Sequence, residues 1–212
     1  MKINPAILVD DVVEYQRQLE VVASYTDEVD IDIIDWQRTP AKTISVDQAL
    51  AVNTPLILNF DLMMDDPEAA IHKVAQDPRV KTVIINMACI KEKKEMAALI
   101  RNYKKVAGLS VNPDNDLEDL QGLLVDFDLV QIFTIEPGAQ GNQMLPERLE
   151  LITEIKKLGY TGLIETDGGF KDYNAQIFLK YPFDIISVGS ALSQAQKPQQ
   201  IYADLTAKLP RS

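Results

Sequence analysis

Short runs of β-branched and other apolar residues alternate along this chain with longer stretches in which apolar positions recur every three or four residues. The short runs predict strands at Lys2–Leu8, Glu28–Ile34, Pro55–Asp61, Val80–Asn86, Ala107–Val111, Leu129–Thr134, Leu163–Asp167 and Ile185–Val188. The periodic stretches predict helices over Val12–Ser24, Pro67–Gln76, Glu92–Val106, Leu117–Leu124 and Leu145–Leu158, with two more near Tyr173–Lys180 and Pro198–Leu209. Strand and helix in strict alternation imply parallel pairing through crossover helices. Eight strands favour a closed (β/α)8 barrel over an open doubly wound sheet, and 212 residues fit one such domain spanning 1–212.

Composition narrows the function classes. Acids outnumber bases by 32 to 21, a formal net charge of -11, which argues against a nucleic-acid partner. An anionic ligand would have to be held by local dipoles instead of the global field. No stretch approaches the ~18 apolar residues of a membrane span, and Met1–Pro5 lacks a signal-peptide core, so the expected compartment is the cytoplasm. The single cysteine, Cys89, excludes an internal disulfide and a cysteine-based zinc cage. The single histidine, His72, lies inside a helical pattern, which leaves a Ser-His-Asp triad without its base.

Candidate chemistry sits at strand ends. Alternate residues of a strand share a face, so Asp30 and Asp32 point together, as do Asn59 with Asp61 and Glu165 with Asp167. Acids inside apolar strands are costly unless compensated. In a barrel, Asp32, Asp61 and Asp167 would converge at the C-terminal mouth. Three loops there can present N–H groups to an anion: Gly168-Gly169 after the seventh strand, Gly189-Ser190 after the eighth, and Gly138, Gly141 and Asn142 after the sixth. Phosphate sites of such barrels commonly use the loops after strands seven and eight.

Taken in order, these pieces resemble the ribulose-phosphate 3-epimerase family of TIM barrels. The likeness runs through Pro5-Ala6-Ile7-Leu8, Asp30-Ile31-Asp32-Ile33-Ile34-Asp35 with Pro40, Asp61-Leu62-Met63-Met64-Asp65-Asp66-Pro67 and Asn112-Pro113. Its most specific parts are Thr134-Ile135-Glu136-Pro137-Gly138, Asp167-Gly168-Gly169 and Gly189-Ser190. The resemblance implies a ribulose-phosphate-binding barrel that interconverts ribulose 5-phosphate and xylulose 5-phosphate. Asp32 and Asp167 would move the C3 proton from opposite faces. The glycine loops would hold the phosphate, Met63 and Glu136 would line the sugar pocket, and a divalent metal would stabilise the enediolate. It also implies a homo-oligomer.

The chain departs from the family pattern at several positions. Asp30 and Asp61 stand where the family carries histidine metal ligands. Ala6 replaces a serine, Trp36 a glycine, and Ala139-Gln140 a phenylalanine-glycine pair. A site of Asp30, Asp32, Asp61 and Asp167 offers only oxygen, which suits magnesium or manganese better than zinc. A second resemblance, to the Asp-x-Lys-x-x-Asp stretch of orotidine-phosphate decarboxylases, fails where Met63 replaces the lysine. Two alternatives to the epimerase stand beside it: a sugar-phosphate-binding barrel without turnover, and an isomerase of another sugar phosphate on the same scaffold.

Overall fold

The computed structural model describes residues 1–36, 39, 41–137 and 142–210. Eight strands form it: β1 (Lys2–Ile7), β2 (Glu28–Asp35), β3 (Ile57–Met64), β4 (Val80–Asn86), β5 (Val106–Val111), β6 (Leu129–Phe133), β7 (Leu163–Asp167) and β8 (Ile185–Val188). Each pairs in parallel with its successor, and β8 returns to β1, closing the barrel. The open-sheet alternative is thereby excluded.

Helices cover the outside: α1 (Val12–Val22), α2 (Val46–Ala51), α3 (Glu68–Gln76), α4 (Lys93–Asn102), α5 (Leu117–Leu120), α6 (Glu150–Lys157), α7 (Ala175–Phe178), α8 (Ser190–Ser193) and α9 (Pro198–Thr206). Their buried residues repeat at helical spacing, as with Ile71, Val74 and Ala75 on α3 or Leu151, Ile152 and Ile155 on α6. These side chains meet the outward faces of the strands, including Ile31, Ile33, Leu58, Phe60 and Leu62, in one continuous core. No helix among the described residues is long and apolar enough to cross a membrane.

The boundaries differ from the sequence pattern in informative places. Strand β3 begins at Ile57 and runs on to Met64, where Pro55–Asp61 was expected. Pro55 has no N–H for the ladder, and β3 pairs residue for residue with β2 up to Asp35 and Met64. Asp61 is therefore an interior strand residue and not a strand end. Helix α4 stops at Asn102, short of Val106, because Lys104 takes a φ of 59°, outside any right-handed helix. Helix α2 was not expected, although a Ser45–Gln48 capping box announces it: Ser45 Oγ accepts from Gln48 N and Gln48 Oε1 from Ser45 N.

The barrel interior is layered. Ile84, Leu129 and Ile185 plug the N-terminal end. Ile34, Trp36, Met63 and Phe133 form an apolar cluster near the other end. Many polar side chains are buried in the strands, among them Asn4, Asp30, Asn59, Asp61, Ser110, Gln131, Glu165 and Ser187. Branched apolar side chains ordinarily fill such barrels; a polar middle is expensive and must be satisfied or functional.

Candidate active site

Two carboxylates face one cleft at the C-terminal ends of the strands. Asp32, on β2, and Asp167, the last residue of β7, line it together with Ala6, Met63, Phe133 and Ser187. Strands β2 and β7 are separated in the ring by β1 and β8, so the two acids reach the cleft from well-separated walls. The cleft encloses about 530 Å³, part of it open to solvent.

The far side of the cleft is built from loop backbone. Gly168, Gly169, Gly189 and Ser190 all line it. Gly168 and Gly169 take φ values of 88° and 73°, which disfavour any side chain. A Cβ on Gly168 would overlap Ile135, and one on Gly169 would come within 3.0 Å of Met144 Cβ. Neighbouring side chains hold this loop in shape. Thr134 Oγ1 donates to the carbonyls of Asp167 and Gly168 at 3.0 and 2.6 Å, and Asn174 Nδ2 donates to Gly169 O at 2.8 Å.

Asp30 and Asp61 lie deeper. Both are buried, and neither lines the cleft. Asp61 is the direct β-partner of Asp32. Asp30 Oδ1 accepts from Asn4 Nδ2 and Asn59 Nδ2, each at 2.9 Å, and Asn59 Nδ2 also reaches Glu28 Oε1 at 2.9 Å. Glu165, which the sequence reading did not select, is buried beside them and accepts from Gln131 Nε2 at 3.0 Å.

Five acids so enclosed cannot all ionise easily. Burial raises the Asp30 carboxyl to about 6, against hydrogen bonds from Asn59, Ser187 and Asn4 that favour its charged form. Burial and then the charge of Asp30 raise Asp167 to about 7. Asp32 rises well above its ordinary value through burial, then Asp167 and Asp61. Asp61 and Glu165 rise well above theirs too, mainly through burial.

The remaining assigned positions divide. Met63 lines the cleft. Glu136 does not; it is exposed and borders a separate shallow cleft with Trp36, Asn112 and Asp114. Asn142 is also exposed, and its Nδ2 donates to Glu136 O at 2.8 Å. Gly138 and Gly141, like Pro40 and Ala139-Gln140, lie outside the described residues.

Residues 2–193 match the profile of the Ribulose-phosphate 3 epimerase family. The chain belongs to the ribulose-phosphate 3-epimerase family. It is thus a member of a family of carbohydrate isomerases. A ribulose-phosphate 3-epimerase from Mycobacterium tuberculosis is 28% identical over 210 residues, covering 96% of this chain and 90% of that protein. Epimerases from Schizosaccharomyces pombe and Bacillus subtilis are 23% and 26% identical, covering 96% and 91% of the chain and 92% of each relative. Among solved structures, a 3-hexulose-6-phosphate synthase superimposes with a TM-score of 0.70 at 14% identity, covering 99% of this chain and 100% of that one. A 3-keto-L-gulonate-6-phosphate decarboxylase from Vibrio cholerae superimposes with a TM-score of 0.70 at 15% identity, covering 96% and 94%. These two likenesses concern the fold alone.

The family resemblance raises the question of a divalent metal. Among the described residues, neither oxygen of Asp61 nor Oδ2 of Asp30 has a partner at full hydrogen-bond geometry, although Gln131 and Ser110 near Asp61 and Ser187 near Asp30 favour the charged forms; a buried carboxylate so placed takes up a cation or a proton. The donor set is all oxygen, so its chemistry fits a hard ion. Among the described residues, no three acids stand in ligand-shell geometry.

Proposed function

We propose that the chain epimerises a ketopentose 5-phosphate at C3, interconverting ribulose 5-phosphate and xylulose 5-phosphate. The single observation behind this reading is the placement of Asp32 and Asp167 on separate walls of a cleft whose far side is a glycine cradle. Inversion at one carbon by proton transfer needs a base on one face and an acid on the other. The raised values of both aspartates suit that division of labour. With Asp167 near neutrality and Asp32 above its ordinary range, the pair readily holds one proton between two carboxyls. The ionised member takes the proton from C3, and the electron pair left behind moves toward the neighbouring carbonyl oxygen. The protonated member then delivers its proton to the opposite face of C3. The pair ends with its proton count unchanged and its roles exchanged.

The residues of the chain do the remaining work by placement. The N–H groups of Gly168, Gly169, Gly189 and Ser190 would hold the phosphate and so fix the distance from phosphorus to C3. Ala6, Met63 and Phe133 cover the sugar and exclude water from the developing charge. Asp30, Asp32, Asp61 and Asp167 would hold a hard divalent ion, which would supply positive charge for the developing oxyanion. Magnesium or manganese suits that oxygen set better than zinc.

The test is exchange with solvent. Ribulose 5-phosphate incubated with the protein in deuterium oxide should yield xylulose 5-phosphate with deuterium at C3. Phosphate binding without any exchange would favour the non-catalytic sugar-phosphate binder. For that alternative, the relevant observation is the double capture of Asp30 Oδ1 by Asn4 and Asn59.

A further inference from the structure

Lys171 follows the glycine pair and was not among the residues the sequence singled out. Its Nζ donates to Ser190 Oγ at 2.6 Å, across from the β7 loop to the β8 loop. Ser190 lines the cleft beside Gly168, Gly169 and Gly189. The lysine is mounted on the same loop as the cradle. Its own N–H donates to Asn174 Oδ1 at 2.8 Å, while Asn174 Nδ2 holds Gly169 O. Asn174 is buried, so this mounting is rigid.

Lys171 is partly buried and takes part in none of the ion pairs among the described residues. Burial alone lowers its pKa, and no acid acts in the other direction. In a chain of net charge -11 an ammonium could readily have been paired. One that is half-desolvated without a carboxylate is held at a cost, and an incoming anion relieves it. A lysine meets phosphate as a point charge and needs no bidentate geometry, which suits one tethered through a hydroxyl.

We propose that Lys171, which does not itself line the cleft but is tied to it through Ser190, is a cationic phosphate-binding residue whose ammonium contacts the phosphate of the substrate. The inference rests on the phosphate-binding role of the cradle proposed above and adds a charged residue to it. Ser190 then has two tasks, offering its N–H to the anion and its Oγ to the lysine. The ammonium supplies locally the attraction that the global field opposes.

The experiment titrates inorganic phosphate into the wild-type protein, Lys171→Gln and Lys171→Arg by calorimetry, with KM for ribulose 5-phosphate measured in parallel. Loss of a charge-assisted hydrogen bond should weaken phosphate binding by about tenfold or more in Lys171→Gln. The loss should fall on KM more than on kcat, and Lys171→Arg should recover most of it. The salt dependence of phosphate affinity should also shrink in Lys171→Gln. A purely structural lysine would not move that slope. Wild-type affinity in Lys171→Gln overturns the proposal and leaves the cradle intact. A wild-type protein that binds no phosphate overturns the cradle itself, and Lys171 with it. If the variants do not fold, lysine NMR of the wild type decides: phosphate should raise the Lys171 pKa, and an unmoved titration overturns the proposal.

Discussion

Raising the pH on metal-stripped protein should destabilise it, because the acids inside the barrel bind protons more tightly folded than unfolded. Asp30 sits at about 6 and Asp167 at about 7 when folded, against an ordinary 3.8. At low pH both are protonated in either state, and this contribution to stability is complete. Once pH passes the unfolded value, the unfolded chain releases protons that the folded chain keeps. Stability then falls until the folded values are passed. Going from about pH 5 to about pH 8, Asp30 accounts for on the order of 1 kcal/mol and Asp167 for at most about 3 kcal/mol, at roughly 1.4 kcal/mol per pH unit. The share of Asp167 is an upper bound because it faces the open cleft, where water screens it. Asp32, Asp61 and Glu165 are raised as well, chiefly by burial, and act in the same direction. For a chain of this length, 1 kcal/mol moves Tm by about 2–4 °C, so a fall of roughly 5–15 °C is expected. The assay is thermal unfolding by far-ultraviolet circular dichroism after chelator treatment, across that pH range. Asp30→Asn keeps an oxygen for Asn4 and Asn59 but removes the proton, and should flatten the slope. A Tm that is constant or rises from pH 5 to pH 8 would refute the reasoning.

Other perturbations bear on separate parts of the molecule. Asp32→Asn and Asp167→Asn should each lower epimerisation by at least ~100-fold with the fold retained, and wild-type turnover in either would remove that residue from the pair. Gly169→Val places a branched side chain at a φ of 73° beside Met144, so phosphate binding by calorimetry should vanish; unchanged affinity would relocate the cradle. After chelation, magnesium or manganese should restore activity and raise Tm at about pH 8, while restoration by zinc alone would contradict the oxygen-donor argument. Tyr15→Phe removes a buried hydroxyl that has no hydrogen-bond partner among the described residues and should stabilise the fold by up to about 1 kcal/mol in denaturant unfolding; a loss of stability would refute this.

Much of the architecture was legible before any coordinates, because a parallel barrel writes itself into local patterns. Each strand is a short β-branched run and each crossover helix repeats its apolar residues every three or four positions, so element type and order follow from nearest neighbours in the chain. The glycine loops and the strand-borne acids were visible for the same reason. Depth was not. Asp61 reads locally as a strand end, yet pairing with β2 carries β3 three residues further and leaves Asp61 buried inside the strand, beside Asp32. Four aspartates predicted as one cluster divide into two that face the cleft and two below it, a distinction made by register around a closed ring. Glu165 becomes a member of that interior only because Gln131 lies beside it on the neighbouring strand. Glu136 borders a separate cleft and not this one, and Lys171 is tied to the cleft only through the hydroxyl of Ser190, nineteen residues away. Side-chain direction on a strand is local and can be read from the chain. Which acid lies above another, and which charge stays unpaired, depends on contacts between segments far apart in sequence, and only the folded barrel brings them together.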